Sequence, residues 1–245
     1  MTRTTSWLQR EPIGVAPRVF CLPHAGCGTS VFRNWPAARD GVEFLPVELP
    51  GRLARFGAPQ PDTLQELAAA MADGLRPRLD VPFAFFGHCW SALLAYEVTA
   101  QLQELAGSHA RHLFVSSQLA PQDGPSGRML GMDEAGLETE LAAMIRDQGG
   151  ASPHPELLAI YVGVLRADVE ASRRYVVQDP VRLSCPITAV GWDADTEVAP
   201  RQMHGWRRCG ETGFTVLPGR HHRFVDAPAE LLTLLAAAMT GPDFT

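Results

Sequence analysis

A strongly apolar stretch, Pro82-Phe-Ala-Phe-Phe86, runs into Gly87-His-Cys-Trp-Ser91 and then into a helix-forming segment over residues 92–105. A strand-to-helix turn with small residues two places before and two after a nucleophile has the form of a nucleophile elbow, whose crowded backbone leaves little room for side chains at those flanks. Cys89 stands at the nucleophile position, and Ser91 fills the second small position usually held by glycine. Acyl chemistry at a thiol needs a base for its proton and an acid to orient that base. In enzymes built on this elbow the chain order is nucleophile, acid, histidine. Downstream, a strand-like run at 186–190 leads into Gly191-Trp-Asp-Ala-Asp-Thr-Glu-Val198, which offers Asp193 and Asp195. A second run at 214–217 leads into Pro218-Gly-Arg-His-His-Arg-Phe224, which offers His221 and His222. Singly, each has a plainer explanation: a buried structural cysteine, a turn-capping aspartate, a solvated loop histidine. Three in this order, each at a strand's carboxyl end, point to nucleophilic catalysis.

A tetrahedral intermediate also needs donors for its oxyanion. The turn Leu22-Pro-His-Ala-Gly-Cys-Gly-Thr-Ser30 is glycine-rich and follows a strand pattern, so it can present one backbone N–H, with the N–H of Trp90 as the second. The competing reading of Gly26-Cys-Gly28 is a dinucleotide fingerprint. Val31 at the third glycine position, followed by Phe32, Trp35 and Pro36, spoils the tight helix that would hold a pyrophosphate. His24 and Cys27 have the spacing of half a metal site, but no second pair lies near them in sequence, so no metal is expected.

These residues need a frame. Apolar β-type runs at 18–23, 42–47, 82–86, 112–116, 186–190 and 214–217 alternate with helical patterns at 64–75, 92–105 and 229–239. Runs apolar on both faces imply a parallel sheet covered by helices, hence one doubly wound α/β domain over residues 1–245. Between about 121 and 179 no strand pattern appears, and two helices, 133–147 and 156–175, are joined by a Gly/Pro-rich link at 149–155. This insertion reads as a lid over the ligand-binding edge. Its apolar residues, among them Met129, Leu137, Leu141, Leu158 and Leu165, are expected to line a channel above Cys89.

Composition removes other classes. The 245 residues carry 27 acidic and 21 basic side chains, a net charge of −6, with no long run of either sign, so nucleic acid is not an expected partner. Every basic residue is arginine; without lysine there is neither a P-loop lysine nor a Schiff base to pyridoxal phosphate. Five cysteines without paired spacing suit a reducing compartment. With neither a leader-like N-terminus nor a stretch of roughly 18 apolar residues, a cytoplasmic protein is expected, away from the membrane.

Six segments in order resemble the type II, stand-alone thioesterases of polyketide synthase and non-ribosomal peptide synthetase systems, which have the α/β-hydrolase fold. Leu22-Pro-His-Ala-Gly-Cys-Gly28 resembles the family's F-P-x-A-G-G turn, Val47-Glu-Leu-Pro-Gly-Arg52 its V-x-L-P-G-R segment, and Phe85-Phe-Gly-His-Cys-Trp-Ser-Ala92 its F-G-H-S-M-G-A elbow. Leu165-Arg-Ala-Asp168 through Tyr175 resembles the helical lid, Gly191 to Val198 resembles G-x-D-D-P-x-V, and Pro218-Gly-Arg-His221 resembles P-G-G-H. The resemblance implies Cys89 as nucleophile, His221 as base and Asp195 as its orienting acid, with Asp193 left to cap a turn and His222 as reserve base. It implies the N–H groups of Ala25 and Trp90 as oxyanion donors, no cofactor, and an acyl thioester on the phosphopantetheine arm of a carrier protein as substrate. The chain departs from the family at Cys89, Trp90, Ser91, His24, His222 and Arg223. A cysteine intermediate keeps the acyl group activated, so acyl transfer or chain-releasing cyclisation, including a Dieckmann-type condensation, stands beside hydrolytic release. A non-catalytic carrier-binding module is the reading from a different class.

Overall fold

The computed structural model describes residues 6–105, 109–147 and 154–241; the N-terminal five residues and 149–153 of the Gly/Pro-rich link lie outside them. The β-type runs become β1 (Arg18–Leu22), β3 (Val42–Pro46), β4 (Phe83–His88), β5 (His112–Ser116), β6 (Ile187–Trp192) and β7 (Thr212–Leu217). With β2 (Ala38–Arg39) they form one seven-stranded sheet in the order β2-β3-β1-β4-β5-β6-β7. All neighbours are parallel except β2 and β3. This is the architecture of the α/β-hydrolase fold. The two-residue β2 is too short to show alternation, and it was not expected. Its signal lay in the turn: Asp40 and Gly41 both take positive φ, 49° and 80°, the pairing that a two-residue hairpin loop demands.

Every residue of β1, β3, β4 and β5 is buried because helices cover both faces of the sheet. The side-chain period of two sorts them. Phe20, Leu22, Leu45, Phe83 and Phe85 join a cluster with α1 (Leu64–Leu75) and α2 (Trp90–Glu104). Val19, Cys21, Phe44, Ala84 and Phe86 join the cluster packed under α5 (Ala229–Thr240). Helix α1 starts where Thr63 and Glu66 close a reciprocal capping box.

The strand order places the chemistry. From β1 the chain leaves toward β3 on one side, whereas from β4 it leaves toward β5 on the other. At such a switch point the outgoing loops diverge and open a crevice at the carboxyl ends of the strands. The turn after β1 and the elbow after β4 border that crevice.

Between β5 and β6 the described residues hold α3 (Glu134–Asp147), α4 (Pro155–Arg174) and short 3-10 turns, with no strand. The expected apolar channel is not what these helices build. Leu137, Leu141, Leu165 and Val169 are buried in the main core, and Met129, Leu130, Met132, Ile145 and Leu158 pack partly buried against it. Most of the apolar surface is used in seating the helices, while Leu157, Ile160 and Tyr161 near the start of α4 stay exposed. No helix among the described residues is long and apolar enough to cross a membrane.

Candidate active site

The elbow is tight for a reason visible at Gly87. A Cβ there would lie 2.2 Å from the backbone oxygen of Ser91, so only glycine lets the first turn of α2 pass over the end of β4. The reversal forces Cys89 to φ 53°, ψ −129°, a conformation L-residues rarely adopt, and its N–H is held by the Ser116 carbonyl at 2.8 Å. Cys89 is half-buried at the N-terminus of α2, directly before Trp90.

Asp195 and His221 come from the loops after β6 and β7. Asp195 Oδ1 accepts the backbone N–H groups of Glu197 at 2.8 Å and Val198 at 3.1 Å. Its Oδ2 accepts the Ser117 hydroxyl at 2.6 Å and His221 Nδ1–H at 2.9 Å. Asp193 does something else: its Oδ1 accepts the Gly219 N–H at 2.8 Å, stapling the aspartate loop to the histidine loop. On its other side the His221 ring faces the Cys89 side chain, and Nε2 lies 3.8 Å from Glu197 Oε2. The structure thus places His221 between Asp195, which it reaches at 2.9 Å, and the Cys89 side chain.

The electrostatics follow. Burial disfavours the imidazolium of His221, but its hydrogen bond to Asp195 and the Cys89 side chain that it faces outweigh that and raise its pKa to about 10. Burial raises Asp195 as well, yet the bonds from His221 and Ser117 bring it down to about 2. His222 is pushed the opposite way, to about 4, by burial and then by the charge on its neighbour. His24 and His88 are driven well below the ordinary range, first by burial and then by the neighbouring histidines. One charged imidazole therefore sits among three neutral ones, with the His88 ring stacked on Phe224 at 4.3 Å. One ligand atom each from His88, His221 and His222 lies within 4.8 Å of the others, close enough for a divalent cation to draw together. Binding there would compete with His221 for its proton.

A cleft of about 640 Å³ opens at Cys89, lined by Gln118, Leu119, Ser126, Gly127, Arg128, Thr196, Glu197, Val198, Gln202, His221 and His222. Its walls mix polar side chains with the apolar Leu119 and Val198. Arg128 pairs with Glu140 and, at 3.0 Å, with Glu197. Sequence reasoning missed Ser117 and Arg128, whose partners Asp195 and Glu197 lie far away along the chain, and Gln202, whose side chain caps the turn at Ala199 three residues before it. Ser117 alone left a trace, being the second residue of a Ser-Ser pair at a strand's carboxyl end.

Residues 17–238 match the thioesterase domain family. The chain belongs to the thioesterase family. The gramicidin S biosynthesis protein GrsT of Aneurinibacillus migulanus is 31% identical over 244 residues, spanning 96% of this chain and 94% of that protein. The structure of RedJ, a thioesterase from the prodiginine pathway of Streptomyces coelicolor, superposes with a TM-score of 0.75 at 34% identity, covering 94% of this chain and 96% of that one. The type II thioesterase BorB from the borrelidin cluster gives 0.78 at 29% identity, covering 95% and 97%.

In this thioesterase the serine at the second small position of the elbow has a structural use. Ser91 Oγ accepts the His88 N–H at 3.0 Å and faces the carbonyls of Leu22 at 3.0 Å and His88 at 3.1 Å, joining the ends of β1 and β4 inside the core. Ser91→Ala is expected to lower the unfolding free energy by about 1–3 kcal/mol, because it strands a buried N–H. Urea denaturation measures it, and Ser91→Gly should cost no less.

Proposed function

We propose that this thioesterase releases acyl or peptidyl groups from the phosphopantetheine arm of a carrier protein through an acyl-Cys89 intermediate. The observation that carries the reading is the line from Cys89 through His221 to Asp195 at the switch-point crevice. With a pKa of about 10, His221 holds its proton at neutral pH and first acts as an acid. Cys89 sulfur attacks the thioester carbonyl, forming the S–C bond while the carbonyl π pair moves onto oxygen. The N–H groups of Ala25 and Trp90 receive that oxyanion. The intermediate collapses, the C–S bond to pantetheine breaks, and His221 gives its proton to the leaving sulfur. Neutral His221 then takes a proton from water as the water oxygen attacks the acyl-enzyme; collapse breaks the acyl C–S bond, freeing the acid and restoring the Cys89 thiolate beside protonated His221. Asp195 keeps the imidazole oriented throughout.

The cysteine itself favours a second reading. Thioester-to-thioester exchange is nearly balanced in free energy, so the acyl group stays activated for an amine, another thiol or a carbanion. Transfer or cyclisation then competes with hydrolysis. Intact-protein mass spectrometry after incubation with a panel of acyl-carrier thioesters tests both readings. Loading of one acyl group per chain is expected, with free acid the product of the leading reading and an acceptor adduct that of the second. A Cys89 that neither loads nor reacts with iodoacetamide leaves only a binding module.

The carrier reading has support beside the cleft. A larger opening of about 1170 Å³ shares His221 and His222 and is bordered by Arg33, Arg128, Arg220 and Arg223 against Glu140 and Asp226. This arginine-rich rim suits the phosphodiester of the arm. Arg220→Glu is expected to raise KM about tenfold for carrier-borne substrate, on the scale of one charge-assisted contact, and to leave a phosphate-free pantetheine thioester unaffected. Helix α3 and the N-terminal half of α4 act as the lid of a single catalytic domain. The five free thiols accord with a reducing compartment, and the cytoplasm is the proposed place of action.

A further inference from the structure

Two segments named in the family resemblance, Val47–Arg52 and Leu165–Asp168, supply no residue to the catalytic line, yet they meet beside it. Asp168 lies on α4, and its Oδ2 accepts the Gly26 N–H at 2.8 Å. The same oxygen accepts the Arg52 guanidinium, which also donates to the Pro50 carbonyl at 2.9 Å. Both side chains are about 5% exposed or less, so the carboxylate has a charge partner where water does not reach it. Gly26 is the third residue of a turn closed by the Cys27 N–H on the His24 carbonyl at 3.1 Å, and it takes φ +72°. That value belongs to a type II turn, whose central peptide flips to the type I orientation by rotation about two bonds. Here the central peptide joins Ala25 to Gly26. A flip would replace the N–H facing Asp168 with a carbonyl oxygen facing a carboxylate. Leu165, one turn earlier on α4, closes the remaining space, since a Cβ on Gly26 would lie 3.0 Å from its Cδ1.

We propose that Asp168, held by Arg52, is a positioning residue that locks the turn carrying the Ala25 N–H, so that α4 of the insertion is part of the frame of the oxyanion site. The inference rests on the reading of Cys89 as nucleophile and Ala25 as oxyanion donor. It also makes the C-terminal half of α4 a fixed strut and not a swinging lid.

The test uses the whole protein and three probes. A trifluoromethyl ketone analogue of the acyl group is attacked by Cys89: the S–C bond forms, the carbonyl pair becomes an oxyanion in the hole, and the thiol proton resides on His221. An acyl-pantetheine amide reports ground-state binding without reaction, and iodoacetamide reports Cys89 reactivity without an oxyanion. Asp168→Ala is expected to weaken the ketone adduct and lower kcat by at least about tenfold, the scale of a displaced oxyanion donor. Amide affinity, KM and the alkylation rate should stay within about twofold. Asp168→Asn, which keeps an oxygen for Gly26, should recover most of the loss. Equal losses in the two variants, or losses spread equally over all three probes, overturn the proposal and leave a purely structural ion pair. A wild-type enzyme that alkylates but forms no ketone adduct overturns instead the reading on which it rests.

Discussion

Cys89→Ala is expected to remove acyl loading altogether and to lower kcat/KM by roughly 10⁴-fold or more, the scale seen when a covalent nucleophile is deleted. Binding and the oxyanion donors would remain, so a small residual rate over water survives. The fold should tolerate the change, because alanine carries the same backbone strain as cysteine at φ 53° and the His221 Nε2 that loses the thiol still lines the cleft, 3.8 Å from Glu197 Oε2. A melting temperature within a few degrees of wild type, with no acyl adduct by mass spectrometry, is the expected pair of results. Cys89→Ser separates hydrolysis from transfer. A serine acyl-enzyme is an oxyester, in which resonance stabilises the carbonyl more than in a thioester and soft nucleophiles gain less. With an amine or thiol acceptor present, wild type is expected to divide its product toward the acceptor adduct, and the serine variant toward free acid. Equal product ratios, with the serine enzyme faster, would make the cysteine incidental and leave plain hydrolytic release.

The parts of this thioesterase that a sequence shows most readily are those written in local patterns. Phe83 to Phe86 is apolar at every position because both faces of β4 are covered, and that alone marks a central parallel strand. Gly87 and Cys89 could be read because the elbow's sterics act over five consecutive residues. The histidine and aspartate positions were legible as pairs, Asp193 with Asp195 and His221 with His222, and the resemblance ordered each pair as the hydrogen bonds do. Relations made across the chain were not legible. Asp168 meets Gly26 over 142 residues and Arg52 over 116, and nothing near either residue signals the contact. The insertion misled for a physical reason: apolar residues at helical spacing show that a face is buried but not against what. Leu137, Leu141 and Leu165 bury theirs in the core, and the cleft beside Cys89 is left with Arg128, Glu197 and Gln118.

Asp195→Asn should isolate the electrostatic half of the site. Its Oδ1 is claimed by two backbone donors, Glu197 N–H and Val198 N–H, so the asparagine carbonyl is held at that position. The amide nitrogen then replaces Oδ2 and offers an N–H to His221 Nδ1, where the carboxylate had accepted one. The neutral imidazole is forced to carry its proton on Nε2, facing Cys89, and loses the lone pair that accepts the thiol proton. A fall in kcat of roughly 10²–10⁴-fold follows, with KM little changed. The pH profile gives the sign independently. With Asp195 ionised the imidazolium persists up to about pH 10, and activity that needs His221 protonated is lost as pH rises through that value. Removing the carboxylate removes the largest favourable contribution to the imidazolium, so the alkaline limb must move to lower pH. Stability shifts with it. The raised His221 pKa adds stability that is fully present below about 6.5 and lost on rising through about 10. The variant should therefore melt closer to wild type at alkaline pH than at pH 6. An alkaline limb that stays in place in Asp195→Asn would mean that another group holds the imidazolium, and Glu197, 3.8 Å from Nε2, is the residue to replace next.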